Sequence, residues 1–287
     1  MNTILVVGSL HYDIMVSAPH RPETGETIIA TGCDYKFGGK GGNQAVAVAK
    51  SNVPCRFVGA IGDDANGQFL ITVLKKNIVD TQFIETISGS SSGMSVAITD
   101  TDNDYSAVVI PNANTQINVE SFYKAEIWER VSLLLLQNEL PEHINLIAAQ
   151  EAQKRGIKVC LNAAPAKPLS ESFKAYIDVL VVNAIEARDM SGITVNNLAS
   201  ATEAAKSLSS VYPTAIVTAG EYGVAFAEHS GAYGELPAEK IQLISTHGAG
   251  DCFMGVLCAS LANNSTLKDA IGKANKAAAI HVSTPHN

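Results

Sequence analysis

A chain of 287 residues has room for one large domain or two modest ones, and 46% hydrophobic with 17% charged residues is a globular composition with a real core. A formal net charge of −8 with no Lys/Arg cluster argues against nucleic acid or an anionic membrane as partner, because both call for a basic patch. No apolar run approaches the ~20 residues of a membrane helix, and five cysteines without CxxC spacing point to reduced thiols in a cytoplasm. Cys252 and Cys258 have no ligand-spaced His or second pair beside them and read as buried structural thiols.

In chain order, ILVV (4–7), closed by Gly8, reads as a buried first strand. The start lacks a charged leader and a small-residue cleavage site, so no signal peptide is expected. Thr27 to Tyr35 and Met94 to Ile110 are β-prone segments broken by polar turns such as TDTDND (99–104), which predicts antiparallel strands exposed on one face. Gly38 to Gly42 then leads into NQAVAVAK, a helix by composition and spacing. From Ser132 onward apolar strands alternate with helices: LLLL (133–136), a helix near His143 to Arg155, KVCLN (158–162), DVLVVN (178–183), a helix near Asn197 to Ser210, and TAIVT (214–218). Such β-α units give an α/β body on a mostly parallel sheet, with a small β element inserted early. In open sheets of this kind ligands gather at the carboxyl ends of strands. Asp13, Asn138, Glu139, Asn183, Glu186, Thr218 and Gly220 all follow predicted strands, so they are expected on one rim.

GAGD (248–251), within THGAGDCFMG, carries the sharpest chemistry. Glycines that open a helix leave its first N–H groups bare for an anion. Asp251 can then take a proton from an attacking alcohol while the amides of Ala249, Gly250 and Asp251 stabilise charge on the transferred group. The plain alternative is a glycine-rich helix start with an acid favoured by the dipole. FGGKGGNQA (37–45) lets backbone approach a ligand closely, and Asn43 offers a donor and an acceptor to hydroxyls. It is neither a Walker A loop nor a dinucleotide fingerprint, and a glycine-rich turn with a solvated lysine would look similar. NAIE (183–186) sets an amide and a carboxylate one turn apart. That pair suits water ligands of Mg²⁺ or a simple helix cap. The histidines show no triad-like or ligand-like spacing.

GGKGGNQA, NAIE and HGAGD, in that order and at these separations, resemble the ribokinase-type sugar kinases of the PfkB family over nearly the whole chain. The resemblance implies a three-layer α/β core, residues 1–287 as a single domain, and a small β lid formed by segments within 12–36 and 94–110. It also implies ATP as donor, Mg²⁺, and transfer of the γ-phosphoryl to a sugar or nucleoside hydroxyl. By the same resemblance Asp251 is the base, with Gly248, Ala249 and Gly250 in the anion hole. Asp13, Gly39, Lys40, Asn43 and Glu139 match sugar-binding positions. Asn183 and Glu186 match the metal and phosphate motif, Glu186 holding Mg²⁺ through water, and Thr218, Gly220 and Gly223 match the nucleotide side. Lid strands of such kinases often pair between subunits, which gives the expectation of a homodimer.

Three departures stand out. His11 occupies a position where ribokinases usually have Asn, which makes it a candidate for altering the sugar bound. Ser245 replaces an acid associated with a monovalent-cation site, and the chain stops at HVSTPHN, short of the tail that helps complete that site. Both put activation by K⁺ in doubt. The reading that follows is an ATP-dependent kinase of a small sugar, most of all a pentose such as ribose. A nucleoside kinase and a sugar-binding protein with little turnover are the alternatives.

Overall fold

The computed structural model describes residues 2–100 and 105–284. Along the chain run β1 (Thr3–Val7), β2 (His11–Ser17), β3 (Gly32–Gly38), α1 (Lys40–Lys50), β4 (Cys55–Gly62), α2 (Ala65–Lys76), β5 (Val79–Ile87), β6 (Met94–Thr99) and β7 (Tyr105–Ile110). After several short 3₁₀ turns come β8 (Val131–Gln137), α3 (Glu142–Lys154), β9 (Lys158–Asn162), α4 (Glu171–Lys174), β10 (Val179–Asn183), α5 (Ala184–Ser191) and α6 (Leu198–Leu208). The remainder is β11 (Thr214–Thr218), β12 (Gly223–Glu228), β13 (Tyr233–Pro237), α7 (Ala249–Ala262) and α8 (Leu267–Val282).

Nine strands form one sheet in the order β13-β12-β11-β10-β9-β8-β1-β4-β5. Pairing is parallel from β5 through β11, and only β12 is reversed, pairing antiparallel with both β11 and β13. The apolar runs alternate between the two faces as the two-residue period of a strand requires. Leu133 and Leu135 join Ile4, Val6 and Val181 in a core covered by α1, α2, α7 and α8. Leu134 and Leu136 join Leu5, Leu161 and Val182 under α3, α5 and α6. Helices on both faces explain why these strands are apolar throughout, giving the α/β architecture expected from the sequence.

Four further strands make a smaller sheet, in the order β3-β2-β6-β7. It differs from expectation in one pairing, because β2 and β6 run parallel. The reason is topological. β2 leaves the carboxyl end of β1, and β6 leaves the carboxyl end of β5, a strand parallel to β1 through β4, so both enter the small sheet in the same direction. Residues 27–31, within the β-prone stretch, form no strand, and residues 101–104 of the polar turn lie outside the described residues, as do 285–287 of the tail.

Helix α1 begins at Lys40, three residues earlier than the sequence predicts, with Gly41 and Gly42 inside it. These glycines are there for packing. A Cβ on Gly41 would lie 2.6 Å from Gly8 Cα, so helix and first strand meet backbone to backbone. Among the described residues no helix is long and apolar enough to cross a membrane. All five cysteines are free, but they are not uniformly buried: Cys33 is exposed and Cys252 is partly buried.

Candidate active site

Strand order reverses at β1 and β8, the place where an open α/β sheet leaves a crevice. A cavity of about 830 Å³ opens there, between the carboxyl ends of the large sheet and the inner face of the small one. Asp13 and Ser95 reach it from the small sheet. Gly39, Lys40 and Asn43 come from the start of α1, Glu139 and Asn162 from the ends of β8 and β9, and Gly248 to Asp251 from the start of α7.

Asp251 is buried, and its carboxylate is fixed from the side of α1. Gln44 Nε2 donates to Oδ1 at 2.9 Å and Asn43 Nδ2 to Oδ2 at 3.3 Å. Gln44 also donates to Asn162 Oδ1 at 3.1 Å, and its own oxygen accepts from Gln137 Nε2 at 2.9 Å. Burial raises the Asp251 carboxyl above the ordinary carboxylate range. The nearby Lys40 ammonium and the bonds from Gln44 and Asn43 oppose that rise. An acid held this way is poised as a proton acceptor. Helix α7 follows Gly248, which adopts φ 75° and supplies no side-chain cap. Ala249 N makes a turn bond to Thr246 O at 3.3 Å and Cys252 N bonds Gly248 O at 2.9 Å. Between them, the N–H groups of Gly250 and Asp251 have no acceptor among the described residues, so an anion placed there meets two free donors and the helix dipole.

The residues expected on the sugar side form a second cluster. Glu139 accepts from the backbone N–H of Lys40 at 2.8 Å and from the Ser9 hydroxyl. Asp13 accepts from Ser95 Oγ at 2.6 Å. Burial lifts the Asp13 carboxyl, and the Ser95 bond, His11 and His247 pull it back. The carboxylate lies over Gly38, where a Cβ would fall 1.9 Å from Oδ2. Gly39, at φ 88°, turns the chain from β3 into α1 against the backbone of Ser9 and His11. His11 lines the cavity with a buried Nε2 that has no hydrogen-bond partner among the described residues.

Asn183 and Glu186 form a reciprocal cap on α5. Asn183 Oδ1 accepts from the backbone of Ile185 and Glu186 at 2.9 Å each, while Glu186 accepts from Asn183 N at 2.8 Å and Asn183 Nδ2 at 2.9 Å. The cap lies on the cavity wall. Burial raises the Glu186 carboxyl against the pull of its Asn183 bonds and of Lys40. One ammonium thus acts on Glu186 and Asp251 together. Thr218 and Gly220 line the same wall. Gly223 does not. It opens β12 at φ 119°, where a Cβ would meet Leu236 O at 2.1 Å.

The match that decides the family is to the model of the pfkB family carbohydrate kinases, over residues 1–286. This chain belongs to that family. Among pfkB kinases, it is 33% identical to a ribokinase of Haemophilus influenzae over 98% of this chain and 92% of the relative. It is 34% identical to a ribokinase of Schizosaccharomyces pombe, again over 98% and 92%. The structure of an Arabidopsis thaliana ribokinase complexed with ribose and ATP superposes with a TM-score of 0.90 at 25% identity, over 99% of this chain and 93% of that one. As a pfkB kinase, the chain is a phosphotransferase acting on a sugar hydroxyl. Sequence reasoning missed Gln44, Ser9 and Ser95, which hold the acidic groups. Gln44 stood inside the quoted GGKGGNQA without a role, and its only sequence signal was a polar residue on an apolar helix face.

Proposed function

We propose that the chain phosphorylates ribose from ATP. The observation that carries this reading is a buried Asp251, bonded to Asn43 and set beside two helix-start amides that are free among the described residues, in one cavity with Asp13 and Glu139. Asp251 takes the proton of the attacking hydroxyl, and the amides of Gly250 and Asp251 with Lys40 meet the charge of the transferred phosphoryl. Asp13, Glu139, Gly39, Asn43 and His11 hold the sugar hydroxyls, the unpartnered His11 Nε2 finding its partner there. Thr218 and Gly220 take the nucleotide. The ribose and ATP in the Arabidopsis thaliana relative support this assignment.

Glu186 keeps lone pairs beyond its two Asn183 bonds, and no cluster of three metal-ligating side chains exists among the described residues. That donor set fits Mg²⁺ held through its water shell, where the ion would neutralise phosphate charge. The whole chain works as one domain, with β2, β3, β6 and β7 as a lid over the sugar. Exposed Tyr35 and Val108 on that sheet support a homodimer formed through it. Sedimentation of Val108→Asp should show a monomer where the wild type is a dimer. The free cysteines, Cys33 exposed among them, suit the cytoplasm, which cell fractionation checks.

ATP consumption with Mg²⁺ against pentoses, hexoses and nucleosides tests the main reading. Ribose should give the highest kcat/KM. Preference for a nucleoside, or sugar binding without turnover, would overturn it.

A further inference from the structure

In a helix extended by one residue, the N–H of Asp251 would bond the carbonyl four residues back, which belongs to His247. That carbonyl is taken from elsewhere. His281, near the end of α8, places Nε2 at 2.9 Å from His247 O. A carbonyl only accepts, so Nε2 carries the hydrogen. The end of α8 grips the same loop twice more, through Ile244 N and Ser245 N to Val282 O at 2.8 and 3.1 Å. Gly248 lies directly against the ring, where a Cβ would fall 3.0 Å from Nε2.

We infer that His281 is a positioning residue that keeps the anion hole open. By holding the His247 carbonyl toward α8, it prevents the Asp251 N–H from closing onto that carbonyl and extending α7 back through Gly248. His281 does not line the cavity, so it acts through the loop and touches no substrate. The inference rests on the reading that the first turn of α7 receives the transferred phosphoryl. Closing the hole removes a donor that matters most when charge develops, so the loss falls on kcat. The groups that hold the sugar are on other elements, and KM for ribose should stay.

The test compares wild type, His281→Ala and His281→Gln in steady-state kinetics with MgATP and ribose, alongside thermal unfolding. Glutamine keeps an N–H donor on a side chain of similar reach. Expected are a fall in kcat on the order of 10-fold or more in the alanine variant, a KM within about twofold, and recovery of most of the rate in the glutamine variant. An alanine variant with wild-type kcat overturns the inference. So does a loss that glutamine fails to recover while both variants unfold at the wild-type temperature. A wild type inactive on every sugar would remove the kinase reading itself, and that result is visible before any variant is compared.

Discussion

Gln44 Nε2 lies 2.9 Å from Asp251 Oδ1, joining α1 to the first turn of α7. The amide is fully buried and serves Asn162 and Gln137 as well. Gln44→Leu should therefore cost in two ways. Buried partners left unsatisfied cost about 1–3 kcal/mol of stability, and a loosened Asp251 should lower kcat by roughly 10-fold or more. Denaturant unfolding and kinetics on the same preparation read both effects. A variant that keeps wild-type kcat would show that Gln44 only packs.

Asp251→Asn should remove ~10²-fold or more of kcat with little change in sugar affinity. The same change should flatten the pH dependence of stability. Burial raises the folded-state pKa of Asp251, so its contribution to stability is fully present below the unfolded carboxylate value and is lost as pH rises through the folded one. Asparagine does not titrate and carries no such loss. Thermal midpoints of both proteins from mildly acidic to neutral pH should show the wild type losing stability relative to the variant as pH rises, and a relative gain would contradict this sign.

Lys40 lowers the Asp251 carboxyl that burial raises. The acidic limb of the kcat profile should therefore sit above the ordinary carboxylate range in the wild type and move to still higher pH in Lys40→Met. A limb that moves to lower pH, or stays fixed, would separate Lys40 from the proton acceptor.

Monovalent cations should have little effect. Where the resemblance expects an acid beside a monovalent cation, Ser245 supplies only a neutral hydroxyl, which accepts the N–H of His247 at 3.2 Å, so the charge that would hold an ion is missing at that position. Replacing K⁺ by choline at constant ionic strength should leave kcat within about twofold, and a tenfold dependence would refute this.

Much of the body was legible because apolar runs such as LLLL and TAIVT are too short for buried helices and alternate with helical segments, as buried strands do, and the glycine patterns at 38–42 and 248–250 marked both halves of the cleft. What escaped was set by tertiary contact. Glycine counts as a helix breaker in isolation, so the start of α1 at Lys40 becomes visible only when Gly8 is seen pressed against Gly41. The parallel pairing of β2 with β6 depends on which strands of the large sheet they leave. Gln44 and His281 act through partners 207 and 34 residues away, a separation that local periodicity does not encode.

The small sheet is joined to the body at four chain crossings, before β2, after β3, before β6 and after β7. At the first and last of these Asn114 clasps Leu10, donating to its carbonyl and accepting from its N–H, each at 2.9 Å. On the proposed lid role, a sheet tethered this way would travel as one flap, carrying Asp13 and Ser95 while Lys40, Glu139 and Asp251 stay with the body. A sugar held by both sets would then be the latch between the moving part and the fixed one, the piece that fastens the door.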